Sequence, residues 1–600
     1  MIGTVKKGSD ASAILMRHLA RRLVFLILIL AVTACRDTAE APEVVAEPMV
    51  LDYNFVSDPT TLDPALAIDT ASLNVVRQLF DGLTAFDPAT AEVVPGLAVA
   101  WDVSQNGFTY TFRLREGMAL WVNQRGEPQG EVLAEDVVYS IKRACAPETA
   151  SPSAYLLFII SGCEEAYTAV GIPDLDSIAV RAIDRFTVEF MLVQPAAHFP
   201  AILGMPVAFP VPAAAVDSYG TTWTEPQNLI TNGAYLLAEW RPGERLTLDR
   251  NPVYYDAASV SLVRVNGTIA PDPTTALTLY QQNGLDSMRV PPEIAEWVLA
   301  DEALRGQLAQ APDPCTYAYG FTLDKPPLDN ARVRRALSLA IDRPYITGQV
   351  LGQMHTPAYH FAPPGTFGVP PGETQGIETD VRAAQELMVA AGYPGGAGFP
   401  PITLMAPAGE PHAAIAAAVS SGWSRDLGIQ VTVVEQAEEG YEAAIDGTVP
   451  LNEAPHVWVL SWCADYPDEH NWLSEVFALN QSGGAPRMVG SRFADRVTIV
   501  PGENSTRRIP GRLDELTAQA SSEQDPELRR DLYAQAEQTL IVDEAMIAPI
   551  YHQTVLVLTK PWLDRDYLSI AGQSFKGWTV DMSAKHEARG EATATPPPSE

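Results

Sequence analysis

Apolar and polar positions alternate along several stretches of the chain. In TYTFRLREG (109–117), Tyr110, Phe112 and Leu114 alternate with Thr111, Arg113 and Arg115, which predicts a half-buried strand stopped by Glu116 and Gly117. FTVEFMLV puts Phe186, Val188, Phe190 and Leu192 on one face in the same way. Elsewhere the period changes. In ARVRRALSLAIDRP, Val333, Ala336, Leu337, Ala340 and Ile341 recur at helical spacing and form one apolar stripe. Asp525 and Pro526 open another helix as N-cap and first-turn proline; it runs through Leu528, Leu532 and Leu540 and leads into the apolar strand Thr554 to Leu558. Strand and helix signals are mixed without a fixed repeat, which predicts an α/β fold. The Pro/Gly-rich stretches 361–376 and 393–401 are expected to be surface loops, and residues 480–511, which lack a period, an excursion loop.

Length and charge narrow the picture. Six hundred residues suggest two to four structural units. A net charge of -34, from 40 basic and 74 acidic residues, repels polyanions, so nucleic acid is excluded as a partner. At the N-terminus, Lys6, Lys7, Arg17, Arg21 and Arg22 precede the apolar run LVFLILILAVTA (23–34). That run is about eight residues too short to span a bilayer but suits a signal-peptide core. It ends at Cys35 in a pattern that resembles the lipobox of bacterial lipoproteins. The expectation is therefore a signal peptide over residues 1–34, a diacylglycerol on Cys35, and a solvated Ala/Pro/Glu-rich tether over 35–48. Met1 and Met16 are both possible starts. The protein would be anchored by lipid outside the cytoplasmic membrane, and residues 585–600 would form an unpacked tail.

Export makes disulfides the expected state of the other cysteines, Cys145, Cys163, Cys315 and Cys463. They allow three pairings, and none stands at zinc-ligand spacing. Pairing Cys145 with Cys163 closes a short loop worth about 3 kcal/mol in the chain-entropy model and leaves Cys315 for Cys463.

A series of segments then carries a family resemblance. DPTTLDPALAIDTASLNVVRQLFDGLTAFDPATAEVVPGLAVAWDVSQNGFTYTFRLREGMAL, AEDVVYSIKRA, TNGAYLLAEWRPGERLTLDRNPVYYD, PPLDNARVRRALSLAIDR, WCADYPDE and DPELRRDLYAQAEQTLIVDEAMIAPIY follow one another over about residues 50–580. In that order they resemble the family 5 extracellular solute-binding proteins, the peptide-binding components of ABC importers. The resemblance implies a two-lobed, class II periplasmic-binding-protein-like fold with an extra subdomain and a ligand cleft between the lobes. By analogy, lobe I would comprise 49–84, 226–314 and 531–584, with 85–225 as its extra subdomain, and lobe II would comprise 315–530. It also implies a disulfide between the CTYAY and WCADY segments, that is, Cys315 with Cys463.

The resemblance implies site roles as well. Asp465 would pair with a peptide α-ammonium group, and the backbones of Ile68, Asp69 and Thr70 and of Ser461, Trp462 and Cys463 would pair with the extended ligand. Trp462 would either wall a side-chain pocket or belong to the core. Where relatives can carry an arginine for the ligand's C-terminal carboxylate, this chain has Val459; His456 and His360 are possible substitutes. The partners implied are a peptide and an ABC permease with its ATPase. The receptor would act as a monomer with no cofactor and no catalysis. Relatives that bind nickel chelates, haem, oligosaccharides or opines keep a non-peptide solute open. A secreted hydrolase is a third reading, although no GxSxG, HExxH or Walker loop is present. Asp468, Glu469 and His470 are adjacent and would not converge on a metal; they are expected at the surface.

Overall fold

Two strands, Leu308–Phe321 and Ile547–Thr559, are about twice as long as the other main strands in the computed structural model, at 14 and 13 residues. The structure describes residues 47–88, 90–369, 376–445, 449–477, 497–499, 506–508, 511–567 and 572–590. The signal peptide, Cys35 and nearly all of the tether lie outside them, as does most of the expected excursion loop. In chain order, the main-sheet strands are β1 (Met49–Asn54), β2 (Tyr235–Arg241), β3 (Arg245–Arg250), β4 (Leu262–Thr268), β5 (Ser287–Val290), β6 (Leu308–Phe321), β7 (Ile402–Pro407), β8 (Val431–Gln436), β9 (Val457–Cys463) and β10 (Ile547–Thr559). They lie in the order β2-β3-β4-β1-β5-β10-β6-β9-β7-β8, with Thr356–Pro357 added against β10. The fold is α/β and two-lobed.

β6 and β10 pair antiparallel along their whole length, but the register breaks between Pro312 and Thr316. On one side of the break, β10 also pairs with β5 through Leu556 to Thr559. On the other, β6 pairs with β9 from Cys315↔Cys463 to Phe321↔Val457. We propose this break as the division between the lobes. Alternation along β6 and β9 sends Tyr317, Tyr319, Val457 and Val459 into one apolar cluster and Ala318, Trp458, Leu460 and Trp462 into another, so this half of the sheet is covered on both faces. A separate, larger cluster unites Leu51, Leu79, Phe112 and Phe190.

The periodic segments form elements close to those the pattern predicts. Thr109–Leu114 is a strand with Tyr110 and Phe112 buried, and Ala331–Leu339 is a helix with Val333, Ala336 and Leu337 buried. Both disulfides, Cys145–Cys163 and Cys315–Cys463, are present.

Two expected boundaries are corrected. The helix Pro526–Glu537 runs unbroken through residue 531, and its Tyr533 and Ala536 pack with Phe361 and Trp472, inside the region expected to be lobe II. With the break in the ladder as the division, the proposed return to the first lobe comes later, within β10. Residue 585 does not begin an unpacked tail either. Met582–Arg589 is a helix, and Lys585, 1% exposed, places its ammonium 2.6 Å from Asp286 and 2.7 Å from Asp52. Arg589 reaches Asp52 at 2.7 Å, and Trp562 Nε1 donates to Asp286 at 2.8 Å. Burial alone would raise the Asp52 carboxyl, but the charge of Lys585 and hydrogen bonds from Lys585, Asn266 and Arg589 hold it below the usual carboxylate range.

Removing one partner of a buried charge cluster strands the others in a medium that cannot solvate them. Lys585→Met should therefore destabilise the protein by about 3–5 kcal/mol in urea unfolding. A loss below about 1 kcal/mol would show the cluster to be solvated.

Candidate functional site

Beside the break in the β6–β10 ladder lies a cavity of about 940 Å³. Its walls come from the β1 end and the following loop, from Ala67–Thr70, from Tyr155 and Met205–Phe209 of the region expected as the extra subdomain, from Asp313 and Pro314, and from Asp465.

Asp465 is held by neighbours from two directions. Tyr155 donates its hydroxyl proton to Oδ1 at 2.6 Å. Asn471, 1% exposed, accepts from the Asp465 backbone N–H at 3.1 Å and from Trp462 Nε1 at 3.2 Å through the same Oδ1 atom. Asn471 thus clamps the turn that aims the carboxylate. Trp462 is buried in the core with its N–H satisfied, and it is not part of the cavity wall.

Among the described residues, β7 pairs with β9 only at Val457 and Trp458, and no strand pairs with that edge beyond them. Ala464 N–H donates to Pro314 C=O at 2.8 Å, toward β6. Antiparallel alternation then turns the backbone groups of Ser461 and Cys463 to the opposite edge. Both residues are exposed. Cys463 is bonded to Cys315, its direct cross-strand partner, with 4.0 Å between Cα atoms.

Ile68 and Thr70 line the cavity, and Ile68 is 61% exposed. The Asp69 side chain caps the helix Thr70–Leu79, accepting from Ser72 N–H at 2.9 Å, Ser72 Oγ at 2.6 Å and Thr60 Oγ1 at 2.5 Å. Its carboxylate is therefore occupied within the segment, and Asp69 is not part of the cavity wall.

Asp468, Glu469 and His470 are not surface residues; they are 3%, 1% and 5% exposed. Asp468 is ion-paired with Arg529 and accepts from Tyr533 OH at 3.1 Å. Glu469 lies against Glu537, and burial followed by the repulsion of Glu537 holds its carboxyl well above the usual range. Glu537, raised by burial to about 7, accepts from the backbone N–H groups of Phe361 and Ala362. The His470 ring stacks on that of His198, with centroids 3.5 Å apart, and its Nδ1 lies 2.8 Å from Tyr466 OH. The three side chains point to different partners and brace the Asp465 turn from behind. Among the described residues no group of histidines, cysteines and carboxylates is arranged to hold a metal.

Neither substitute histidine faces the cavity. His456 Nδ1 accepts from Thr403 N–H at 3.1 Å, and His360 Nδ1 contacts Ala362 C=O. Val459 is buried, with its carbonyl taken by Tyr441 OH. The structure instead brings to the cavity Tyr155, Arg77, Arg289 and Arg565, which sequence reasoning missed. Isolated arginines on an amphipathic helix, a strand and a loop carry no spacing signal.

A two-lobed α/β fold whose cavity is lined by an aimed carboxylate, Asp465, is the arrangement of a solute receptor. Residues 92–484 match the bacterial extracellular solute-binding proteins, family 5 (middle region), and the chain belongs to that family. It is similar to the periplasmic oligopeptide-binding protein OppA of Escherichia coli K12, at 30% identity over 91% of this chain and 96% of that protein. It is also similar to the probable deoxycholate-binding periplasmic protein YgiS of the same organism, at 31% identity over 90% and 95%. Among solved structures, the unliganded open form of the murein tripeptide-binding protein MppA of Escherichia coli aligns with a TM-score of 0.77 at 31% identity, covering 89% of this chain and 98% of that one. A second MppA structure, at the same identity, gives 0.58.

The His198–His470 stack joins the subdomain region to the Asp465 turn and carries a pH signature. Burial, then the charge of His470 and of Arg529, keeps His198 well below its usual value, and burial and Arg529 hold His470 at about 3. Tyr466, Arg529 and, at 3.9 Å, Glu475 are the other groups facing the pair. Both histidines fold neutral, so the unfolded chain binds more protons below about pH 6.5. Stability should be full above that pH and fall by about 1.4 kcal/mol per unit and per histidine as the pH drops toward the folded value. Thermal unfolding between pH 7 and 5 should show a shallower decline in His198→Phe than in the unaltered protein; parallel declines would contradict the assignment.

Proposed function

We propose that this chain is an extracytoplasmic receptor that captures peptides in the interlobe cavity and delivers them to an ABC permease without transforming them. The observation that carries this reading is Asp465, held at the cavity by Asn471 and Tyr155, and just before it in the chain the β9 edge at Ser461 and Cys463, which has no strand partner among the described residues. A carboxylate suits an α-ammonium group, and an open edge suits an extended backbone of any sequence. Ile68 to Thr70 supplies the second backbone contact. The names of the relatives OppA and MppA point the same way. In this reading Cys35 carries the lipid that tethers the receptor outside the cytoplasmic membrane, and it works as a monomer. Ligand would favour the closed form by binding it better than the open one.

A second reading has a specific support. YgiS is named for deoxycholate, an amphipathic acid, and the cavity here has aromatic wall at Phe80, Phe86, Phe209 and Trp578. The two readings differ in what they ask of Asp465, since deoxycholate has no amine. Losing one partner of a hydrogen-bonded charge pair at a binding site costs at least about 2 kcal/mol, or roughly 30-fold. Calorimetric titration should therefore show a peptide with a free N-terminus binding at least about 30-fold more tightly than its N-acetyl form, with Asp465→Asn abolishing that preference. Equal affinities for the two forms would remove Asp465 from peptide recognition.

A further inference from the structure

Three arginines line the cavity, and the described structure supplies them with little counter-charge. Arg77, in the last turn of the helix Thr70–Leu79, lines the cavity half-buried and has no hydrogen-bond or ion-pair partner among the described residues. Burial without compensation lowers it to about 10. Gly572, at φ +87°, passes directly over its guanidinium, where a side chain would collide with it. The adjacent Gln573 accepts from Tyr53 OH at 2.8 Å, while its buried Nε2 has no acceptor among the described residues.

The other two arginines flank the same tyrosine, whose hydroxyl feels the charge of both. Arg289 follows Ser287 on one face of β5, and Arg565 donates from Nη1 to Ser287 Oγ at 2.9 Å. Arg565 also lies over the Trp578 ring at 4.1 Å. Its Nε donates to the Asp566 backbone carbonyl at 3.2 Å, not to a carboxylate. Arg289 reaches Asp313 only at 3.8 Å. Burial raises Asp313, and burial with the neighbouring charges of Asp564 and Asp87 raises Asp566. Lys576, also lining the cavity, differs, since Asp81 lies 3.4 Å from it and Tyr254 OH 2.9 Å.

A desolvated guanidinium without an anion is costly to keep, and its planar fork fits a carboxylate. We propose that Arg77, Arg289 and Arg565 form an anion subsite that binds a carboxylate of the ligand, taking over the role that Val459 cannot perform. Resting on the peptide reading, the ligand is then dipolar, its ammonium at Asp465 and its carboxylate at the arginines. That carboxylate is the C-terminus or an acidic side chain, and the chemistry recognised is the same.

The test compares a peptide that binds the unaltered protein with its C-terminal amide and, separately, with a Glu→Gln version, in wild type, Arg77→Gln and Arg289→Gln. Thermal unfolding is used to verify that the variants are folded. In wild type, one of the two neutralised peptides should bind about tenfold or more weakly than the parent, and which one does so identifies the source of the carboxylate. In either arginine variant that penalty should shrink severalfold. Wild type indifferent to both neutralisations, or penalties unchanged in both variants, overturns the subsite while leaving the peptide reading intact. If no peptide binds wild type, it is the peptide reading that fails, and deoxycholate against its uncharged methyl ester replaces the pair. Preference for the acid in wild type alone keeps the arginine subsite; no preference, including no binding of either, removes it.

Discussion

The antiparallel ladder between β6 and β10 is the constraint on which the rest of the molecule depends. The same two strands pair on both sides of a break, yet the two halves recruit different neighbours, β5 on one side and β9 on the other. The register breaks between Pro312 and Thr316, and a proline cannot donate a ladder hydrogen bond. Both Pro312 and Pro314 lie in this stretch, so the ladder is weakest at the break proposed as the division between the lobes. Immediately beyond the break, Cys315–Cys463 fixes β9 to β6. Asp465, two residues further on, is thereby carried by the half of the sheet that starts at that bond.

The electrostatics follow from what each charge can find. The chain is strongly acidic overall, at -34, and buried acids find cations: Asp52 and Asp286 are matched by Lys585 and Asp468 by Arg529, while burial and the repulsion of Glu537 hold the Glu469 carboxyl well above its usual range. The cavity breaks that pattern. It places a carboxylate with only neutral hydrogen-bond donors at Asp465 and an arginine with no described partner at Arg77. Opposite charges left open on one cavity are a complement to a ligand that carries both.

Much of the fold was legible because local signals agreed with the tertiary outcome. The alternation at Tyr110, Phe112 and Leu114, the helical stripe at Val333, Ala336 and Leu337, and the Asp525-Pro526 start each form the element that their period or cap chemistry predicts. The pairing of Cys315 with Cys463 was legible too, from counting and from the resemblance. What sequence missed was long-range pairing of polar residues. The stretch from Lys585 onward reads as a solvated end, and only the fold brings Lys585 to Asp286, 299 positions away. Asp468, Glu469 and His470 look like an exposed acidic run because their partners Arg529, Glu537 and His198 lie on distant segments. Arg77 reads as the polar face of a helix, and only the cavity shows that this face looks onto a binding site.

The central claim is that the cavity holds a peptide and leaves it whole. Native mass spectrometry of the receptor purified gently from its own cells, followed by ejection and fragmentation of whatever it retains, addresses this most directly. The account predicts adduct masses that fragment as peptides with a free α-amine, present on the unaltered protein and lost in Asp465→Asn. Adducts that fragment as a non-peptide solute, or peptides retained equally by both proteins, would contradict it.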